Sequence, residues 1–199
     1  MKNIIFDFGQ VIVHFDEEYM TSRYVENPED CKLIKDVVFD RLYWDRFDDG
    51  TLTVSEAKEM IKSRLPQELH QLAFKVLDNW YYDLEFIDGI KQLILDLKQN
   101  GKKLFLLSNI GVDFSENYNK IAEYKNLFSL FDGLVFSSEL HIVKPNVKIF
   151  EHLINTYNLN PCECIFIDDR QVNIDGAKNA GIKGILFDGN TQKLRKQIL

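Results

Sequence analysis

The sequence predicts an α/β protein built on a parallel β-sheet. Five short runs are continuously apolar, which is typical of strands buried on both faces of such a sheet. Amphipathic helical patterns separate the later runs and complete a β–α–β alternation. The predicted strands are Asn3 to Phe8, Lys103 to Ser108, Gly133 to Ser137, Cys164 to Asp168 and Gly184 to Phe187.

The composition is that of a globular chain with a substantial core. Of the 199 residues, 45% are hydrophobic and 28% are charged, and a chain of this length buries about 70% of the surface it exposes when unfolded. This excludes a disordered or fibrous protein. The formal net charge of −7 repels polyanions, so we expect no nucleic acid partner.

Membrane insertion and secretion are not expected either. No stretch approaches the roughly 18 consecutive apolar residues of a membrane span, and the first apolar run ends at Asp7 without the pattern of a signal peptide. The cysteines Cys31, Cys162 and Cys164 are odd in number and include no Cys-x-x-Cys pair. They predict reduced thiols, a cytoplasmic location and no zinc site.

The gap between the first two strands predicts an insertion. Roughly 95 residues separate them, whereas a simple crossover needs only a few dozen. The pattern from Asp16 to Glu85 is helical: Pro28 suits the first turn of a helix, and Thr53-Val54-Ser55-Glu56 is a capping box before a helix over Ala57 to Leu65.

We therefore predict two structural units, a core of residues 1–15 and 86–199 and an all-helical cap of residues 16–85. The cap should lie over the C-terminal edge of the sheet, because the chain leaves from the end of the first strand. It returns before a helix predicted over Asp88 to Asn100, which Gly101 ends.

Polar residues stand at four places where apolar strands or loops end. These are Asp7 with Gly9, Ser108 with Asn109, Lys144 before a helix over Asn146 to Tyr157, and the pair Asp168-Asp169. Each alone has an ordinary explanation as a loop residue, a helix cap or a solvated charge. Adjacent carboxylates repel each other, however, and persist most easily beside a cation.

Together these residues suit phosphate chemistry. A divalent ion of the magnesium type prefers oxygen ligands, and an aspartate can attack phosphorus to form an aspartyl phosphate. A lysine and a hydroxyl can then bind the phosphoryl oxygens, where charge accumulates in the transition state.

The order Asp7, Ser108, Lys144, Asp168-Asp169, with a helical insert after the first strand, resembles the haloacid dehalogenase superfamily. The resemblance covers nearly the whole chain and implies a Rossmann-like core. The segment from Phe166 to Gly181 looks like the small phosphatase branch with a helical type-one cap. That branch includes sugar-1-phosphate phosphatases and the phosphatase domain of soluble epoxide hydrolase.

The resemblance implies a role for each residue in a Mg²⁺-dependent phosphatase acting on a small-molecule phosphate ester. Asp7 would be the nucleophile and a metal ligand, and the Gly9 carbonyl a second ligand. Ser108 and Lys144 would hold the phosphoryl group, with Asn109 beside them as a substrate-binding residue. Asp168 and Asp169 would complete the metal site, and we favour Asp169 as the direct ligand.

One departure from the family pattern concerns Gly9. Most phosphatases of the superfamily carry there a second aspartate, which protonates the leaving oxygen and later activates water. General acid–base assistance is typically worth about 10² to 10⁴ in rate. Either the leaving group needs little help, as in a sugar 1-phosphate, or His14 or Asp16 substitutes, or the reaction has changed.

The changed reaction would be that of a metal-independent haloacid dehalogenase, because halide leaves without a proton. A non-catalytic phosphate-binding protein is a further alternative. The adjacent carboxylates Asp168 and Asp169 favour the phosphatase, because the dehalogenases lack this pair.

The predicted cap contains a segment, Arg41 to Gly50, that mixes aromatic and charged residues. Tyr43, Trp44 and Phe47 suit packing. Because lids commonly close over an active site, we expect Trp44 and Arg46 to touch the leaving group of the substrate. The sequence makes no prediction of the oligomeric state.

Overall fold

A computed structural model describes residues 1–199 and contains one five-stranded parallel sheet in the order β3-β2-β1-β4-β5. The predicted fold class, a Rossmann-like α/β core with a helical insert, is confirmed. The strands are β1 (Asn3–Phe6), β2 (Lys103–Ser108), β3 (Gly133–Phe136), β4 (Cys164–Asp168) and β5 (Lys183–Leu186).

Strand β1 is central and is two residues shorter than the sequence predicts. Asp7 still donates its backbone N–H to the carbonyl oxygen of Ile167, at 3.0 Å. Beyond it the chain turns, and the N–H groups of Ile12 and Val13 both donate to the carbonyl oxygen of Phe8. The turn interrupts the ladder and leaves Asp7 at the edge of the sheet.

The ends of the other strands also follow local geometry. β3 ends at Phe136 because Ser137 already begins a short helix, and β5 runs one residue earlier than predicted.

Five α-helices lie within residues 16–85, where the sequence predicts an all-helical insertion. They are α1 (Glu17–Ser22), α2 (Pro28–Val38), α3 (Arg41–Asp48), α4 (Val54–Lys62) and α5 (His70–Asn79). Pro28 stands in the first turn of α2, as predicted. The capping box at Thr53 and Glu56 is present in full, although α4 ends at Lys62 rather than Leu65.

The segments that enter and leave this insert run side by side. His14 donates its N–H to Glu85 at 2.8 Å, and Ile87 donates to Ile12 at 3.0 Å. The paired connections hold the insert next to the end of β1. The division of the chain at residues 16 and 85 stays a prediction.

Seven helices belong to the part of the chain that follows the insert. They are α6 (Ile90–Gln99), α7 (Val112–Asn117), α8 (Ala122–Phe128), α9 (Ser137–Leu140), α10 (Val147–Thr156), α11 (Gln171–Asn179) and α12 (Thr191–Ile198). α6 and α10 are shorter than predicted because Gly89 and Asn146 serve as their N-caps.

The core lies on both faces of the sheet. Successive residues of β1 point to opposite faces, so Ile4 and Phe6 join a cluster of 45 buried residues that extends into the insert helices. Ile5 joins a second cluster of 12 residues, packed against α10 and α11. Continuous apolar strands thus fill two hydrophobic layers. No helix has the length and apolar character needed to span a membrane.

Candidate active site

The carboxyl ends of three neighbouring strands meet in one cavity of about 150 Å³. Asp7 follows β1, Ser108 ends β2, and Asp169 follows β4. Because β1 lies between β2 and β4, all three residues line this cavity, and Lys144 and Asn173 join them from loop and helix. Such a crevice outside the carboxyl ends of parallel strands is the general ligand position of open α/β sheets.

Three carboxylates converge at this edge. One oxygen from each of Asp7, Asp168 and Asp169 lies within 4.8 Å of the other two. Asp7 and Asp168 are buried, and Asp169 is the more accessible of the three. Oxygen ligands at this spacing are the donor set that a hard divalent cation requires.

Lys144 is the buried counter-charge of the cluster. Its Nζ lies 2.8 Å from Oδ1 of Asp7 and 2.8 Å from Oδ2 of Asp168. Burial by itself would lower the pKa of Lys144, but the two carboxylates outweigh that effect and raise it. The lysine therefore stays protonated between two acids.

Both carboxylate oxygens of Asp168 accept from hydrogen-bond donors. Besides Lys144, its carboxylate accepts from the backbone N–H of Arg170 at 2.8 Å and from Nδ2 of Asn173 at 3.0 Å to each oxygen. Burial opposes its ionisation, yet Lys144 and these donors hold its pKa below the ordinary value. Asn173 keeps one buried oxygen, Oδ1, without a partner.

Asp7 has a different environment. Its Oδ1 accepts from the N–H of Phe8 at 2.7 Å and contacts Lys144, and Oδ2 takes part in neither contact. Burial raises the pKa of Asp7 to about 7, against the lowering effect of Lys144. Burial and the charge of Asp168 also raise the pKa of Asp169.

The loop that carries Lys144 is tied to the end of β2. Asn109 accepts from the N–H of Lys144 at 2.8 Å and donates from Nδ2 to the carbonyl oxygen of Lys144 at 3.0 Å. Its amide thus serves the Lys144 backbone, although Asn109 also lines the cavity. Helix α11 approaches this loop so closely that a Cβ on Gly176 would lie 2.5 Å from the Pro145 carbonyl oxygen.

The insert supplies the opposite wall of the cavity. Trp44 lines it and packs against other aromatic rings, with centroids 4.9 Å from Phe39 and 5.4 Å from Trp80. Trp80 lines the cavity as well and donates from Nε1 to Oδ2 of Asp113 at 2.8 Å. Arg41 and Asp48, which flank Trp44 on α3, complete this wall.

Arg46, which the sequence predicts to touch the leaving group, lies outside the cavity in this structure. Arg46 does not line the cavity, and its guanidinium donates to the carbonyl oxygen of Thr51 at 3.4 Å. With 3.6 residues per turn, a residue two positions after Trp44 points about 200° away around the helix. Arg41 and Asp48, at spacings of three and four from Trp44, share its face.

The two residues suggested as substitutes for the missing acid also lie elsewhere. His14 and Asp16 line a separate surface depression with Glu17 and Lys35, and neither lines the cavity of Asp7. Asp16 is the N-cap of α1, where its carboxylate accepts from the N–H of Tyr19 at 2.9 Å. Gly9 does line the cavity, as does Ser108.

Sequence reasoning did not single out Arg41, Asp48 or Trp80. For Arg41 and Asp48 a signal existed, namely the helical spacing around Trp44. Trp80 directly follows α5 near the end of the insert, and ring contacts with Phe15 and Trp44 place it at the site. No local pattern indicates that contact.

The fold and the site together define an α/β enzyme whose charged groups gather at the carboxyl edge of a parallel sheet, beneath a helical insert. A family model described as haloacid dehalogenase-like hydrolase matches residues 1–181. The chain therefore belongs to the haloacid dehalogenase-like hydrolases, and the family predicted from its motifs is confirmed.

Individual proteins agree with this assignment. The chain is 27% identical to a D-ribitol-5-phosphate phosphatase of Bacteroides thetaiotaomicron, over 92% of this chain and 90% of that protein. A crystal structure of a family enzyme from the same organism, in complex with magnesium and inorganic phosphate, superposes with a TM-score of 0.69 at 20% identity. That match covers 96% of each chain.

The fold is also shared with an enzyme of different chemistry. L-2-haloacid dehalogenase of Xanthobacter autotrophicus superposes with a TM-score of 0.66 at 19% identity, over 92% of this chain and 76% of that one. The fold alone therefore does not select between phosphate and halide as the leaving or transferred group.

Proposed function

We propose that the protein is a magnesium-dependent phosphatase that hydrolyses a small phosphomonoester, a sugar or polyol phosphate, through an aspartyl phosphate on Asp7. The observation that carries this proposal is the cluster of three carboxylates around Lys144 at the edge of the sheet. The relative named for D-ribitol 5-phosphate and the family structure with magnesium and phosphate support it.

The donors present fit a magnesium ion. Asp7 has an oxygen outside its contacts with Phe8 and Lys144. Asp169 lines the cavity, and one of its carboxylate oxygens lies within 4.8 Å of oxygens of Asp7 and Asp168. The Gly9 carbonyl is a further candidate ligand, and Asn173 Oδ1 is a buried acceptor without a partner. Asp168 already accepts four hydrogen bonds or ion contacts. We therefore assign the direct contact to Asp169 and an orienting role to Asp168.

When bound, the ion would neutralise negative charge on the phosphoryl oxygens and on the carboxylates that hold it. Asp7 is placed to attack, since the Phe8 N–H and Lys144 hold its carboxylate at the end of β1. The oxygen that attacks phosphorus would be the one that does not contact the ion. The attack forms a bond from carboxylate oxygen to phosphorus and breaks the ester bond. Water then cleaves the aspartyl phosphate and regenerates Asp7.

Lys144 and Ser108 would hold the transferred phosphoryl group. Lys144 is fixed by two carboxylates and by the Asn109 amide, so its charge needs no rearrangement when negative charge develops on the equatorial oxygens. Ser108 lines the same cavity and is almost fully buried. A cavity of about 150 Å³ is small beside the 300–1,000 Å³ of drug-sized sites. This size favours a small substrate.

We place the reaction in the cytoplasm, as the sequence predicts. The thiols Cys31, Cys162 and Cys164 are all unpaired, which is the usual state in a reducing compartment.

The test is phosphate release from an aryl phosphate and from a panel of sugar and polyol phosphates, with Mg²⁺ and with a chelator. We expect release that requires both Mg²⁺ and Asp7, so that Asp7→Asn abolishes it. Asp175→Asn is the matched control, because Asp175 is exposed and pairs only with side chains on its own helix.

Two outcomes would contradict the proposal. Metal-independent release of halide from a 2-haloacid, with no phosphate released from any ester, would establish the dehalogenase. Phosphate binding without turnover would establish a non-catalytic binding protein.

A further inference from the structure

We propose that Asp48, the last residue of α3, is the general acid and base of the reaction and replaces the aspartate that is missing at Gly9. The inference rests on the proposed phosphatase function and concerns the proton transfers of that reaction.

The position of the Asp48 side chain is the first support. Asp48 lines the cavity that Asp7, Ser108, Lys144 and Asp169 also line, and it faces them from the wall that the insert supplies. A leaving oxygen departs on the side of phosphorus opposite the attacking Asp7. An acid on the insert wall stands where that oxygen is released.

Asp48 is also held in place without use of its carboxylate. Ser137 donates from Oγ to the carbonyl oxygen of Asp48 at 2.5 Å, and the same Oγ accepts from the N–H of Ile110 at 2.9 Å. Ile110 follows directly on Ser108 and Asn109. The backbone of Asp48 is therefore connected through Ser137 to the loop that would bind the phosphoryl group.

The residues after Asp48 strengthen this contact between insert and core. His141 donates from Nδ1 to the carbonyl oxygen of Asp49 at 2.9 Å. Gly50 has a φ of +71°, and a Cβ there would lie 2.3 Å from the carbonyl oxygen of Ser138. The end of α3 is thus pressed against α9, while the carboxylate of Asp48 makes no hydrogen bond or ion pair of its own.

The protonation state suits an acid that works near neutral pH. Burial raises the pKa of Asp48 to about 7, close to the value at which one group serves best as acid and then as base. Arg41 and Lys144 act to lower the pKa, and Asp45 and Asp113 act to raise it. Two more charged groups, Asp49 and Arg170, line the adjoining cleft with Asp48.

The proton transfers balance over two steps. In the first, Asp7 attacks phosphorus, the bond from phosphorus to the ester oxygen breaks, and protonated Asp48 gives its proton to that oxygen, releasing the alcohol. In the second, Asp48 as carboxylate takes a proton from water as the water oxygen attacks phosphorus. The bond to Asp7 breaks, Asp7 regains its electron pair, and inorganic phosphate leaves.

The experiment compares Asp48→Asn with the wild type on two esters in the presence of Mg²⁺. For a polyol phosphate, whose alkoxide needs a proton, we expect turnover to fall about 10²- to 10⁴-fold. For 2,4-dinitrophenyl phosphate, whose phenolate leaves unprotonated, we expect a burst of one phenolate per active site followed by slow turnover. The burst arises because the aspartyl phosphate forms and then lacks its base.

Controls separate this result from misfolding and from failure of the proposed function. The burst itself reports a folded site, and Asp7→Asn should give none. Asp49→Asn removes the same charge from the next residue, whose side chain accepts only from Thr51, and should keep wild-type turnover. A pH profile adds a readout: the basic limb of kcat/KM for the polyol phosphate should disappear in Asp48→Asn.

A rescue variant that places an aspartate at residue 9 gives the most specific test of the role of Asp48. A Cβ at Gly9 would lie 3.7 Å from the Phe15 Cβ, an ordinary contact, and its φ is not left-handed. The double variant Gly9→Asp/Asp48→Asn should therefore hydrolyse the polyol phosphate at least tenfold faster than Asp48→Asn alone. Gly9→Asn in that background should restore none.

Retention of polyol phosphate turnover within threefold in Asp48→Asn would overturn the inference while leaving the phosphatase intact. An equal loss on both esters without a burst would also overturn it, because Asp48 would then serve the attack by Asp7. A wild-type protein that releases no phosphate from any ester would overturn the proposed function itself.

Discussion

The two walls of the cavity are built differently. On the core side, Lys144, Asp168 and Asn173 neutralise and orient one another through buried contacts of 2.8 to 3.0 Å. On the insert side, Trp44 and Trp80 present aromatic surface, and the Asp48 carboxylate makes no pair. The side chains of the core wall are held in place by one another, around the position proposed for the phosphoryl group. The side chains of the insert wall remain available to contact the leaving group, which is the part of the substrate that differs between enzymes.

The largest expected effect falls on the core wall. Lys144→Met should abolish phosphatase activity and lower the free energy of unfolding by about 3–5 kcal/mol, because it leaves Asp7 and Asp168 buried without their counter-charge. Urea denaturation monitored by circular dichroism measures the change. Lys148→Met, on the exposed face of α10, is the control and should change stability by less than about 0.5 kcal/mol. Equal free energies of unfolding for the two variants would contradict the view that Lys144 stabilises the buried carboxylates of Asp7 and Asp168.

The contact between the walls comes next. Gly50→Ala should lower the free energy of unfolding by about 1–3 kcal/mol, because its Cβ would meet the Ser138 carbonyl at 2.3 Å in addition to the strain of a left-handed φ. Gly101→Ala carries the same φ of +71° with nothing within 4 Å. Thermal unfolding of the two variants therefore separates steric contact from backbone strain, and identical losses would show that the contact contributes nothing.

The pH dependence of stability reports on both walls, because burial raises the pKa of Asp7 on the core wall and of Asp48 on the insert wall. Burial raises the pKa of Asp7 in the folded protein to about 7, above the ordinary value of about 3.9. The folded state then binds more protons than the unfolded state between these values. Without Mg²⁺, Asp7 should therefore contribute a fall of about 1–3 kcal/mol in the free energy of unfolding as pH rises from 5 to 8. Denaturant titrations of Asp7→Asn should show a flatter profile, and an unchanged slope would contradict the assignment.

The smallest effect is expected at the aromatic surface. Trp44→Phe keeps a ring among its aromatic neighbours but shortens the side chain at the cavity. We expect KM for the preferred sugar or polyol phosphate to rise several-fold, about 1 kcal/mol, with kcat/KM for a small aryl phosphate within twofold. Steady-state kinetics on both esters provide the measurement. Equal changes on both would show that Trp44 does not contact the leaving group.

The core wall could be predicted from the sequence because the fold rule is simple. Parallel strands end at one edge, so polar residues after apolar runs, such as Asp7 and Ser108, must converge there. The insert wall follows no such rule. Trp44 belongs to the aromatic segment that the sequence singles out, whereas Asp48 shares its face of α3 and Arg46 does not, a difference that only the direction of side chains around a helix reveals. Trp80 required knowledge of how α5 packs.

The long separation of β1 from its partners has a consequence for biosynthesis. Asn3 pairs with Lys103 on one side and with Cys164 on the other, 161 residues away. Ribosomes add about 5–20 residues per second, so β1 waits roughly 5–20 seconds for its first neighbour while the local helices of the insert can form within microseconds. The ion pair between Lys144 and Asp168 likewise cannot form until Asp168 has been synthesised. Helices of the insert can therefore form on a nascent chain before it has a sheet, and the charged centre can assemble only after β4 and Asp169 have been synthesised.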